Sequence, residues 1–158
     1  MATWVVGFEQ EKTKDFLHGI KTLLSYDPDQ IQIMYVTPHS WTPFFKRAYH
    51  GTIIQADQTK WDYKHQVLTS KTMFPWQLLA CVKLTEVILQ ARPKAIYRTF
   101  FHQDKEIRHA MRWYSKVGKR VWPYEIIQFI KDSRTKTETT LKDFWKEHDR
   151  SENTMKTI

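Results

Sequence analysis

Between Trp61 and Leu68 the chain reads "WDYKHQVL", with two large aromatics, a histidine, an acid and a base within eight residues. Laid out as a strand, whose side chains alternate between faces, it puts Trp61, Tyr63, His65 and Val67 on one side and Asp62, Lys64, Gln66 and Leu68 on the other. Flat rings beside a histidine suit a planar ligand. The same alternation describes the core side of a half-buried antiparallel strand, which is the commoner use of an aromatic strand face. A second set lies in "KEIRHAMRWYSKV", where Arg108, Arg112 and Lys116 recur every four residues on one helix face, with His109 and Trp113 beside it. A basic row next to an indole can take a carboxylate or phosphate, and a solvated helix face has the same pattern. His39, in "TPHSWTP", follows a strand candidate at the end from which ligands approach parallel sheets. A histidine hydrogen-bonded within its own loop is the simpler account of that residue.

Other chemistry is missing. The chain has no G-x-G-x-x-G, no G-x-x-x-x-G-K-[ST] and no G-x-S-x-G. His102, Asp104, Glu106 and His109 match no zinc spacing, and Asp104 serves better as a helix cap. Cys81 is the single cysteine. It can form no intrachain disulfide, and one thiolate cannot hold an iron–sulfur cluster, which takes about four. Its helix position predicts an inert, buried small hydrophobe.

These residues need a frame, and 158 residues are enough for one domain with a useful core. The formal charge of +8 favours anionic partners, but the basic residues form no block of five or six, and nucleic acid is not the expected partner. The N-terminus lacks a secretory pattern, and no run reaches the ~18 apolar residues of a membrane span, so a cytoplasmic chain is expected. "TWVVGFE" predicts a strand over Thr3–Phe8, and Phe16, Ile20, Leu23 and Leu24 predict a helix from Glu11 to Tyr26. "YDPDQ" breaks that helix, and "IQIMYVTP" follows as a second strand. Strand, helix, strand makes a βαβ unit. Two parallel strands alone are marginal and normally lie in sheets covered on both faces, so a partner chain, downstream strands or a larger α/β fold must complete them, and the last is the expectation.

Downstream, Thr42 and Pro43 open a short helix that Gly51 ends, and "TIIQAD" is a short strand to pair with the octet. "PWQLLACVKLTEVILQA" is the longest helix. Its polar positions Lys83, Glu86 and Gln90 form one narrow stripe, which predicts cover over most of its circumference. "ARPKA" stops it at Arg92. Asp104 caps the next helix, Gly118 ends it, and "VWPYEIIQFIKD" is a separate short helix. From Ser133 onward the chain is polar apart from Leu141, Phe144 and Trp145, and is expected to fray.

The strings "YDPDQIQIMYVTPHSWTPFF", "DQTKWDYKHQVL", "PWQLLACVKLTEVILQARPKAIYR" and "IRHAMRWYSKVGKRVWPYEI" resemble the carboxy-terminal part of the anaerobic magnesium-protoporphyrin IX monomethyl ester oxidative cyclases. These are cobalamin-dependent radical SAM enzymes of chlorophyll and bacteriochlorophyll biosynthesis. The resemblance runs from about Thr3 to Lys131. It implies an α/β to α+β chain in three parts: residues 1–40 as the last βαβ part of an incomplete radical SAM barrel, 41–132 as an appended, mainly helical domain with a short antiparallel strand pair, and 133–158 as a polar, flexible tail. It places Val6, Gly7 and Glu9 near S-adenosylmethionine and His39 at the active-site mouth. Trp61, Tyr63, His65, Arg108, Arg112 and Trp113 would then be the substrate-facing set. The family uses S-adenosylmethionine, a [4Fe–4S] cluster and cobalamin. Here the cluster-binding C-x-x-x-C-x-x-C and the cobalamin domain are missing. The isolated chain is therefore expected to hold no cofactor and to be inactive alone. It would be a truncated product, or a split subunit completed by a chain carrying the cobalamin and cluster-binding domains. A non-catalytic tetrapyrrole- or anion-binding module is the alternative.

Overall fold

The computed structural model describes residues 1–134 and 138–146. The β-branched run at the start forms β1 (Ala2–Val6), the amphipathic segment after it α1 (Thr13–Tyr26), and the next apolar run β2 (Ile31–Tyr35). β1 and β2 pair in parallel, with Ala2 opposite Ile31 and Val6 opposite Tyr35. Trp4, Val6, Ile33 and Tyr35 point to one face of this pair, where Phe16 of α1 and Leu78 and Val82 of α3 (Pro75–Ala91) cover them. A close approach makes this packing work. A Cβ on Gly19 would lie 2.4 Å from the Trp4 ring, so only glycine lets α1 sit over that indole.

The opposite face carries Thr3, Val5, Gln32 and Met34. Nothing covers it fully, and Val5 is 40% exposed. Among the described residues β1 has β2 as its only ladder neighbour. Ala2 donates to Gln30 and Val6 accepts from Val36, so alternation turns the N–H and C=O of Thr3 and Val5 to an open edge.

α1 ends at Asp27, which adopts a left-handed backbone (φ 47°) and returns its N–H to Leu23. Its carboxylate gathers Arg92 at 3.0 Å, Lys94 at 3.4 Å and Arg98 at 2.7 Å. This ties the end of α1 to α4 (Pro93–Phe100), the short helix that restarts directly after Arg92.

A second core lies beyond β2. α2 (Pro43–Ala48) supplies Phe45 and Ala48, and β3 (Thr52–Ile53) supplies Ile53; Trp61, Val67, Leu68 and Leu141 complete the cluster. The Thr42 hydroxyl does not cap α2; it donates to the His39 carbonyl at 2.7 Å. β3 pairs antiparallel with β4 (Thr139–Thr140), and Ile53 makes an isolated bridge to Leu68. The sheet content is thus one parallel and one antiparallel pair in a mainly helical chain.

Three expectations are corrected here. The octet is not a strand: a 3-10 turn over Gln58–Lys60 runs into further turns, and Tyr63 sits at φ 67°. Asp62 causes this, because its carboxylate accepts from the backbone of Lys64 and His65 and from the His65 ring, a local bonding pattern that competes with a ladder. Gly118 and Pro123 do not break the next helix, since α5 runs unbroken over Lys105–Arg134. The stretch from Ser133 is not all a solvated tail: Leu141 is fully buried, and Phe144 and Trp145 stack against Trp61. Residues 135–137 and 147–158 lie outside the described set.

α3 also faces the other way from its reading. Lys83 and Glu86 turn inward, with Lys83 only 8% exposed, while Trp76, Leu84 and Val87 are 60%, 54% and 45% exposed. No described helix is long and apolar enough to cross a membrane.

Candidate functional site

Two places have the make-up of a site, and the first lies at the carboxyl ends of β1 and β2. At the first, Gly7 adopts φ +90°, and its N–H donates to the Glu11 carboxylate at 2.5 Å. Burial raises the Glu11 pKa against the opposing pull of the Gly7 and Phe8 N–H groups. Val6 is fully buried, with its side chain in the core. Glu9 pairs with Lys71 at 2.6 Å, and its carbonyl accepts from the Lys71 N–H and the Ser70 hydroxyl.

His39 follows β2. Its ring stacks on Trp41 at 4.4 Å and meets Tyr63 edge-on at 5.1 Å. The Tyr63 carbonyl accepts from the Tyr35 N–H at 2.7 Å, which anchors this turn to β2. The His39 Nε2 is buried without a partner, and burial lowers the pKa of the ring. Two of the expected residues, His39 and Tyr63, are therefore brought together.

The others are not. Trp61 is a core residue whose indole donates to the Gln55 carbonyl at 3.0 Å. Arg108 donates to the His102 carbonyl and Arg112 to the Thr99 carbonyl, and Arg112 lies over the Phe100 ring. Trp113 is 60% exposed beside His109 on a shallow surface. The arginines thus tie α5 to the end of α4, and they line no common wall with Trp61, Tyr63 and His65. Asp104 caps α5 by accepting from the Glu106 N–H at 2.7 Å. Cys81, half-buried in α3, has its pKa raised by burial and by the nearby Glu11. One thiol in a helix does not fit an iron–sulfur cluster. Among the described residues, no group of three or more His, Cys, Asp or Glu is placed to hold a metal.

The second place is a cavity of about 350 Å³ between β2, the 54–66 segment, α3 and α5. Its apolar wall includes Ile33, Ile54, Leu79, Val82 and Phe129. Its polar side is built on Lys83, which is bonded to Glu86 at 2.9 Å and to Glu125 of α5. Trp122 donates its indole N–H to Glu86 at 2.6 Å and lies under the Lys83 ammonium. Lys60 pairs with Asp132 at the far end. Tyr35 is 8% exposed; burial first, then Glu125 and Glu86, push its pKa well above the ordinary phenol value. His65 reaches this cavity, bonded to Asp62 at 2.9 Å. The sequence reading missed Tyr35, Lys83, Glu86, Trp122 and Glu125 as a group. A signal was present in the two charges three residues apart on an otherwise apolar helix, which mark an inward polar stripe as well as an outward one.

No protein-family model matches the chain, and no solved structure is similar to it. One curated protein, the anaerobic magnesium-protoporphyrin IX monomethyl ester cyclase of Synechocystis sp., is 49% identical over 146 residues, which is 92% of this chain. The chain spans 29% of the length of that protein. Identity at this level over so long a stretch marks common descent, and the chain is accordingly a relative of that cyclase, similar to one segment of it.

Proposed function

We propose that the chain does the work of the corresponding carboxy-terminal segment of a radical SAM oxidative cyclase acting on magnesium-protoporphyrin IX monomethyl ester. The observation that carries this reading is the 49% identity across 146 residues. The open edge of β1 and the uncovered Thr3/Val5 face support it, because a parallel sheet of two strands is completed by further strands and cover. In this reading the remaining strands of the barrel, with the cluster and cobalamin, come from other polypeptide, added at the β1 edge. The carboxyl ends of β1 and β2, with Gly7, Glu9 and His39, then face the chamber where S-adenosylmethionine reacts, and Val6 supports them from the core. The cofactors supply the radical chemistry. This chain's own residues close the chamber and hold the substrate, and no radical step is assigned to them.

Anaerobic co-expression with the rest of a cyclase tests this. Ring closure of the ester is expected only when both parts are present, and the isolated chain is expected to show no [4Fe–4S] absorbance after reconstitution. Val5→Pro removes an edge N–H that bonds to nothing among the described residues, so it should leave the isolated chain folded and abolish complementation. Complementation unaffected by Val5→Pro, or a competent cluster on the chain alone, would sink the reading.

A further inference from the structure

Nearly all of the chain's surplus positive charge sits in one place. From Arg92 to Arg120 the sequence holds nine lysines and arginines against two acids, Asp104 and Glu106, so seven of the eight surplus charges fall in this stretch. Arg92, Lys94 and Arg98 are taken up by Asp27. The other six, Lys105, Arg108, Arg112, Lys116, Lys119 and Arg120, occupy the flank and back of α5, away from the buried Met111. None of the six has an ion pair among the described residues. Arg108 and Arg112 donate to neutral carbonyls, which fix the guanidinium groups in place without cancelling their charge. A solvated helix face ordinarily mixes both signs, yet no acidic residue occurs from Ile107 to Tyr124.

An apolar corner adjoins this face. α4 buries Ala95 and Thr99 and turns Ile96, Tyr97 and Phe100 outward, with Phe101 at its end. The rings of Tyr97, Phe100 and Phe101 are each more than half exposed. They form a continuous patch, with ring centroids 6.4 Å apart between Tyr97 and Phe101 and again between Phe100 and Phe101. The Arg112 guanidinium stands 5.9 Å over the Phe100 ring and joins the patch to the basic face. Exposed rings backed by cations without counter-charges suit an anionic bilayer: the rings enter the acyl boundary, and the cations meet the headgroup phosphates. Nucleic acid fits less well, because bases stack on open ring faces. Here Arg112 covers one face of Phe100, and Tyr97 and Phe101 lie within 27° of parallel beside each other. Since no described helix can cross a membrane, such a contact is peripheral.

We propose that the α4–α5 corner seats the chain on an anionic lipid surface, with Tyr97, Phe100 and Phe101 inserted and the six α5 cations on the headgroups. This face uses no residue of the β1 edge, so the inference stands independently of the cyclase reading.

Co-sedimentation of the full chain with vesicles tests this. Partitioning onto an equimolar mixture of phosphatidylcholine and phosphatidylglycerol is expected to be at least about tenfold stronger than onto phosphatidylcholine alone. Raising sodium chloride from about 0.1 M to about 1 M should remove that advantage. Lys116→Glu with Lys119→Glu should weaken partitioning at least about tenfold. Lys14→Glu with Lys21→Glu makes the same change in net charge on α1 and should move it less than about threefold. Tyr97→Ser with Phe101→Ser should cost about tenfold through lost apolar burial. All six of these side chains are exposed and have no hydrogen bond among the described residues, so urea midpoints should hold. Phe101→Cys in a Cys81→Ser background, carrying a polarity-sensitive dye, should brighten on the mixed vesicles. Equal partitioning onto the two vesicle types, equal losses from the two charge-reversal pairs, or a dye that stays dim overturns the proposal. Tighter binding to a single-stranded oligonucleotide than to the mixed vesicles would make this a nucleic-acid face and overturn it as well.

Discussion

Asp27 shows how much a single carboxylate can organise. It sits where α1 must stop, in a left-handed conformation that few non-glycine residues adopt, and it collects three cations, Arg92 just before α4 and Lys94 and Arg98 within it. Its hydrogen bond from Arg98, followed by the charges of Arg98, Arg92 and Lys94, holds its pKa below the usual carboxylate value despite partial burial. The folded state therefore binds this proton less readily than the unfolded chain. The stabilisation is complete above about pH 4 and fades as the pH falls through the lowered value. Asp27→Ala should cost about 2 kcal/mol in urea unfolding at pH 7, and progressively less as the pH falls below about 4 and through the lowered value, where the parent loses the same contribution. An equal loss at neutral and acid pH would mean that the conformation of residue 27, and not its charge, matters. The sequence showed Asp27 only as the residue before a proline; its three partners lie about 70 positions away, where local pattern has no reach.

Elements were legible where local signals were strong and unopposed. α3 begins at Pro75 and ends before Arg92 as read, because proline chemistry marks both ends. The octet failed because alternation of ring and polar residue does not distinguish a strand from a turn stitched by Asp62. The partner expected for β3 is found only at the end of the octet, where Ile53 bridges Leu68, and β4 adds a ladder with Thr139 and Thr140. Leu141 beside it should prove a core residue: Leu141→Ala is expected to cost about 3 kcal/mol, against nearly nothing for a frayed tail. Urea midpoints with an unchanged slope check this. α5 survives Pro123 because both halves are fixed by other contacts, Tyr114 to the Ile31 carbonyl on one side and Glu125 to Lys83 on the other. The proline still lacks the helical N–H, so Pro123→Ala should raise stability by about 1–3 kcal/mol, read as an upward shift in unfolding midpoint.

At the scale of the molecule, the described residues form three buried clusters, two beside the parallel strands and one around Trp61 and Leu141. The cavity lies between them, walled by β2 and α3 on one side and by α5 and the 54–66 segment on the other. That placement explains why the candidate site was only half legible. His39 and Tyr63 could be found from a strand end and an aromatic run, but the Lys83 cluster exists only once α3 and α5 have met.

The inverted α3 has a colloidal consequence. A helix that spends its charges inward presents Trp76, Leu84 and Val87 to water, and what keeps copies of the chain apart is their common surplus of positive charge. Added electrolyte shortens the reach of that repulsion from about 30 Å at 0.01 M to about 3 Å at 1 M and leaves the greasy stripe unopposed. Light scattering should therefore show the isolated chain clustering as sodium chloride rises, and the pair Leu84→Ser and Val87→Ser should suppress it. A chain that disperses better in brine would instead be one whose copies adhere through ions.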